Sequence, residues 1–90
     1  MSTPQAYEVY LERVAEQDLK RLSGDNFQRI ISHIKALAKN PRPTGCRKLF
    51  ASKSDWRIKV GDYRIIYEVD DKEKAVKVMR IRHRREAYRP

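Results

Sequence analysis

The stretch Trp56-Arg57-Ile58-Lys59-Val60-Gly61-Asp62-Tyr63-Arg64-Ile65-Ile66-Tyr67 constrains this chain more than any other. It reads as two strands joined by a tight Gly-Asp turn. Apolar and basic residues alternate along the first strand. Arg57 and Lys59 therefore share one face, and Trp56, Ile58 and Val60 share the other. Arg64, in the second strand, joins the two cations. The first strand has no carboxylate interleaved among them, so this face suits a polyanion.

The rest of the chain supplies a layer to cover the apolar face. Tyr7, Val9 and Leu11 alternate with Glu8 and Tyr10, as in a short strand. The period then lengthens. Leu11, Val14, Ala15, Leu19 and Leu22 follow helical spacing and predict a helix over 12–22. After the turn at Ser23-Gly24-Asp25-Asn26, with Asp25 as N-cap, a second helix is expected over 26–39. Its buried stripe is Phe27, Ile30, Ile31, Ile34, Leu37 and Ala38, and Asn40-Pro41-Arg42-Pro43 ends it. A loop over 41–54 follows, anchored by Leu49 and Phe50. Strands are expected at 55–60, 63–69 and 75–82, the last two joined by Asp70-Asp71-Lys72-Glu73-Lys74. The fold class is α+β, in the order β-α-α-β-β-β. An antiparallel sheet is covered on one face by a helical hairpin. Trp56, Ile58, Val60, Tyr63, Ile65 and Tyr67 should pack toward the helices.

Ninety residues make one domain, 1–90. No apolar run approaches the about 20 residues of a membrane span. The opening Met-Ser-Thr-Pro-Gln lacks the features of a signal peptide, so a cytoplasmic location without membrane contact is the expectation. Cys46 is the single cysteine, which excludes an internal disulfide and a thiol-rich metal site. It reads as a small loop residue. The formal charge is +9, of which +2 falls in the first 45 residues and +7 in the last 45. A field concentrated in this way favours nucleic acid or an acidic protein.

The end of the chain adds to the basic set. If the segment from Val76 to Arg89 stays extended, Arg80, Arg82 and Arg84 fall on one face. Tyr88 then offers an aromatic plane beside them. Cations for phosphates and a ring for stacking suit a single strand. RNA cleavage needs no metal in principle. A base takes the proton of the 2′-hydroxyl, which attacks the adjacent phosphorus, while cations hold the charge on the phosphorane. Lys or His in its neutral form is a suitable base, and Arg is a suitable fork for phosphate oxygens. Each residue also has a plainer reading. Arg57 and Lys59 are then solvated charges, Arg64 an ion-pair partner of Glu68, His83 a hydrogen-bonded structural residue and Tyr88 part of a frayed end. His33, on the second helix, has no functional role in this reading.

The chain resembles the RelE family of the RelE/ParE toxin superfamily, the toxins of type II toxin–antitoxin pairs. The resemblance rests on Ala15, Asp18, Leu19 and Leu22 at helical spacing, on Asn40-Pro41-Arg42-Pro43 with Gly45 and Lys48-Leu49, on Trp56 to Tyr67, and on His83-Arg84-Arg85-Glu86-Ala87-Tyr88. It implies a metal-independent, cofactor-free endoribonuclease that cuts mRNA in the ribosomal A site by 2′-hydroxyl attack. By the same resemblance Lys59 is the candidate general base and Arg57 positions the phosphate. Arg64 stabilises the transition state, Arg84 is general acid or charge stabiliser, and Tyr88 stacks on a base. Arg82 competes with Arg84, and His83 with Lys59. Arg80 and Lys48 complete the phosphate-binding set. The implied partners are a cognate antitoxin, the ribosome with its mRNA, and operator DNA reached through the antitoxin complex. Two alternatives stand beside this reading: a ParE-like inhibitor of DNA gyrase, and a non-catalytic nucleic-acid-binding module.

Overall fold

The computed structural model describes residues 6–49 and 55–87. Its elements are β1 (Glu8–Leu11), α1 (Arg13–Lys20), α2 (Gly24–Leu37), β2 (Arg47–Lys48), β3 (Asp55–Val60), β4 (Tyr63–Asp70), β5 (Ala75–His83) and α3 (Arg84–Ala87). The strands form one sheet in the order β1-β5-β4-β3-β2. The expected order of elements, with helices packed on an antiparallel sheet, is the order observed. Two strands extend that sheet. β2, a short antiparallel edge partner of β3, lies within the segment expected as a loop. β1 joins at the other edge, parallel to β5; parallel neighbours cannot be joined by a tight turn, and here the helical hairpin and three strands lie between them in the chain.

The core is the meeting of two periodicities. Ala15 and Leu19 from α1, with Ile30, Ile34 and Leu37 from α2, face Ile58, Val60, Ile65, Tyr67, Val69, Val76, Val78 and Ile81 of the sheet. Trp56 and Tyr63 pack against this cluster, as does Cys46. Ser23, with extended backbone, precedes α2 as its N-cap, and Asp25 instead sits in the first turn. A carboxylate still complements the helix dipole there. Phe50 lies outside the described residues. Among those residues no helix is long and apolar enough to cross a membrane.

Asp18 is the one buried acidic side chain among the described residues. It is 8 % exposed, and it reaches the edge of β5 just past the last residue paired with β1. One oxygen accepts the Ile81 backbone N–H at 3.0 Å and the Arg80 Nε at 2.9 Å. The other accepts from Arg80 Nη2 at 3.3 Å. The carboxylate thus does what a further residue of β1 would do, satisfying an edge N–H, while it holds α1 against the sheet.

A second clamp closes the opposite end. Arg42 donates two hydrogen bonds to Asp71, at 3.1 and 2.7 Å, and the Tyr7 hydroxyl adds a third at 2.5 Å. The Arg42 guanidinium also lies 5.2 Å from the centre of the Trp56 ring. One residue earlier, the carbonyl of Pro41 accepts the buried Tyr67 hydroxyl at 2.7 Å. Burial pushes that hydroxyl well above its usual titration range. The segment after α2 is therefore fastened to the sheet at several points.

Removing Asp18 strands a buried N–H and takes a partner from Arg80. We expect Asp18→Ala to cost about 3 kcal/mol in urea unfolding, the lower end for a broken buried pair because Arg80 keeps partial access to water. The Arg42 hydrogen bonds, and then that of Tyr7, hold the Asp71 carboxyl down at about 2. This depressed group stabilises the fold above the ordinary carboxylate value, and its contribution is lost as pH falls from about 4 toward about 2. Acid titrations of stability should therefore show a shallower fall in that window for Asp71→Asn than for the parent chain.

Candidate functional site

The basic face is assembled by strand register. Lys59 of β3 stands opposite Arg64 of β4, and Arg64 stands opposite Arg82 of β5. Residues directly opposite point the same way, with Cβ atoms about 5 Å apart. Three cations therefore form one row across the sheet. The next row is Arg57, Ile66 and Arg80, and Arg47 of β2 stands beside Arg57.

A bulge in β5 is what brings Arg82 into this row. Tyr67 pairs with Val78, but Ile66 pairs with Arg80, so Met79 is an extra residue. Val76 and Val78 face the helices. In a regular strand with Met79 paired like its neighbours, Arg80, Arg82 and Arg84 would follow them into the core by simple alternation. The bulge inverts the parity, sending Ile81 inward and Arg80 and Arg82 to the opposite face.

Arg64 is the best-held cation of the row. It is 5 % exposed, although the sequence places it on an open face. Its Nη1 donates to the carbonyl oxygens of Tyr63, at 3.0 Å, and Gly61, at 3.4 Å. The guanidinium therefore turns toward the β3–β4 turn rather than along the strand to Glu68. Gly61 permits that turn with a φ of 59°, the positive value that a two-residue hairpin needs at its first position. The Arg84 N–H donates to the Asp62 carbonyl at 2.6 Å, and α3 packs back on β4 and β5. Lys59 is exposed, while Arg57 and Arg82 are half-buried. A held arginine beside an accessible lysine suits an anion that must be gripped and also approached by a base.

Beside the row, at the edge of β3, lies a cleft of about 580 Å³. Arg47, Arg57, Lys59 and Arg64 line it, together with His33, Thr44, Gly45 and Ile58. His33 has Nδ1 at 3.0 Å from the Arg29 carbonyl, so that nitrogen carries a proton and Nε2 is left for the cleft. Sequence reasoning missed both His33 and Arg47. A histidine on a helix carries no trace of the sheet edge it approaches. Arg47, next to Lys48, becomes legible only once β2 is known to pair with β3.

A family model described as the ParE toxin of the type II toxin–antitoxin system parDE matches residues 9–88. The chain belongs to this family. Among solved structures, a chain of the archaeal RelE–RelB complex from Pyrococcus horikoshii OT3 is 26% identical, with a TM-score of 0.79 over 88% of this chain and 96% of that one. The toxin–antitoxin complex RelBE2 from Mycobacterium tuberculosis gives 23% identity and a TM-score of 0.77, over 88% of this chain and 99% of that one. A YoeB/ParE toxin from Agrobacterium tumefaciens gives 16% and 0.72, over 84% and 96%. No curated protein sequence matches significantly. The fold is thus that of RelE/ParE-like toxins.

Several residues of this ParE-family chain stand elsewhere than the sequence suggests. His83 pairs with Tyr63, its ring edge-to-face at 5.4 Å, so it lies on the helix side of the sheet. Its Nδ1 accepts the Arg85 N–H at 3.3 Å. His83 therefore stands on the face of the sheet opposite Lys59. Arg84 does not continue the face that Arg80 and Arg82 share along β5, because β5 ends at His83 and Arg84 opens α3. Arg80 is on the correct strand but is drawn to Asp18. Lys48 pairs with Trp56 and has the parity of the helix side, although it borders a shallow depression with Arg47 and Arg57. Tyr88 lies outside the described residues.

Deleting Met79 turns β5 into a regular strand in which Arg80 follows Val78 outward and Ile81 still turns inward, so every pairing of the register is kept. We expect the cooperative thermal transition followed by circular dichroism to persist. Met79→Ala keeps the extra residue and should retain the transition as well; its loss in the deletion alone would show that the bulge itself, and not the facing of the side chains, is required.

Proposed function

We propose that the chain is the toxin of a type II toxin–antitoxin pair, and that it cleaves mRNA in the ribosomal A site by 2′-hydroxyl attack. The observation that supports this most is the row of Lys59, Arg64 and Arg82 on one sheet face, with Arg57 and Arg47 beside it. Lys59, in its neutral form, takes the proton of the 2′-hydroxyl. The 2′-oxygen bonds to phosphorus, and the bond from phosphorus to the 5′-oxygen breaks. Arg64, already fixed on two carbonyls, faces the negative charge gathered by the phosphorane. Arg57 positions the phosphate, and Arg82 stabilises charge on the leaving 5′-oxygen. The products are a 2′,3′-cyclic phosphate and a 5′-hydroxyl, the latter completed by a proton from solvent. Tyr88 stacks on a base in this scheme. An antitoxin that covers the basic row would silence the site and carry the pair to operator DNA.

The ParE description of the matching family favours a second reading, in which the chain inhibits DNA gyrase without cutting RNA. Primer extension on a translating mRNA after induction separates the two. In-frame cuts support cleavage, whereas growth arrest with intact mRNA supports gyrase. Lys59→Ala is the cleanest variant, because an exposed lysine can be replaced with little effect on stability. It should reduce cutting by about 100-fold, as should Arg64→Ala, whereas Arg84→Ala should reduce it by less than about tenfold. Equal, gradual losses for all three would leave a charge-only binder.

A further inference from the structure

The sheet face that carries the basic row does not stay basic along its length. Rows are set by register. Moving along β4 away from the β3–β4 turn, Lys59–Arg64–Arg82 is followed by the row of Ile66, and then by Glu68 opposite Lys77. Last comes Asp70 opposite Ala75, with Glu8 of β1 alongside. Glu8, Glu68, Asp70 and Glu73 line one depression of about 390 Å³, with Tyr10 and Lys77. Lys77, the cation of that group, lies 3.7 Å from Glu12. Glu8, Tyr10, Asp70, Glu73 and Lys77 are all exposed. The basic and acidic halves thus share one surface, with their poles at opposite ends of β4.

Distance decides what this division can do. At about 3.3 Å per residue, Glu68 is about 13 Å from Arg64 and Asp70 about 20 Å. The Debye length at physiological salt is about 8 Å. A phosphate held over the basic row therefore barely senses the carboxylates. One carried along the strands would come to rest directly over them.

We propose that the acidic end of this face confines a bound single strand to the basic end. The strand must then run across β3, β4 and β5 rather than along them, and contact stops after a few nucleotides. This rests on the nucleic-acid reading of the preceding subsection and adds to it a direction and a length. The division also has a consequence for orientation on approach. Opposed poles on one face produce a torque on the domain in the field of a polyanion, so that the basic end arrives first.

The test measures binding of single-stranded oligodeoxyuridylates, which lack the attacking hydroxyl, by fluorescence anisotropy at about 0.15 M salt. Strands of about 4 and about 12 nucleotides are compared, and the slope of affinity against salt is taken for each. The parent chain should give the same slope for both lengths, and the longer strand should gain only the statistical factor for its extra registers. Glu8→Gln/Glu68→Gln/Glu73→Gln removes charge but leaves Asp70, whose carboxylate accepts the Glu73 N–H at 3.0 Å in the hairpin turn. This variant should bind the longer strand about fivefold tighter, with the shorter changed by less than about twofold. Should it fail to fold, the length series of the parent chain decides alone. A parent slope that steepens with length, or a folded variant identical to the parent on the longer strand, overturns the confinement and leaves the basic row as a nucleic-acid site. Absence of binding by the parent to either strand removes the nucleic-acid reading and the confinement together.

Discussion

The carboxylate of Asp18, seated on the edge of β5, is the contact on which the rest of the structure turns. β1 pairs with β5 only as far as Leu11 and Val78. Past that point no strand among the described residues lies beside the N–H of Ile81. A buried N–H without an acceptor is costly, and α1 answers with one side chain. The same side chain takes the guanidinium of Arg80. One residue therefore docks a helix, finishes a strand edge and withdraws a cation from the functional face. The row of Lys59, Arg64 and Arg82 is set by register, and Asp18 takes Arg80 from the row next to it.

The bulge at Met79 complements that contact. Asp18 can reach both Ile81 N and Arg80 Nε because the strand is kinked there, with Ile81 turned into the core. Bulges bend a strand and increase its twist, and they are common where a side chain must be re-aimed near a site. Here the re-aimed side chain is Arg82. The cations on the face are consequently not a solvated stripe of equal members. Arg64 is buried on carbonyl oxygens and Lys59 is accessible, and the proposed chemistry assigns them different work for that reason.

Much of this was legible in the chain. The Gly61-Asp62 turn and the flanking alternation place β3 and β4 to within a residue, since a two-residue loop with glycine first leaves little choice of register. Trp56 and Tyr67 fall on the helix side, as their parity requires. Both main helices follow from apolar spacing, although their ends moved by one or two residues and Ser23 rather than Asp25 took the N-cap. β2 was not legible. A two-residue strand has no period, and its existence depends on a partner already in place. His33 was not legible either, because its proximity to Arg57 and Lys59 is set by how α2 lies on the sheet edge.

Sequence by itself determined the two main helices and the strands β1, β3, β4 and β5, which face of β3 would be basic, and that a superfamily of small toxins would share the pattern. Those properties are local, encoded in alternation, turn residues and helical spacing. Tertiary structure alone decided the fate of the last strand's cations. Alternation from Val76 carries Arg80, Arg82 and Arg84 toward the core, and only the odd spacing from Val78 to Ile81 hints otherwise. The extra residue, the helix carboxylate and the early end of β5 sent Arg82 into the row, Arg80 to Asp18, Arg84 onto α3 and His83 behind the sheet. The physical reason is that a strand's parity is a relation between it and its neighbours. A chain read alone supplies only one side of that relation.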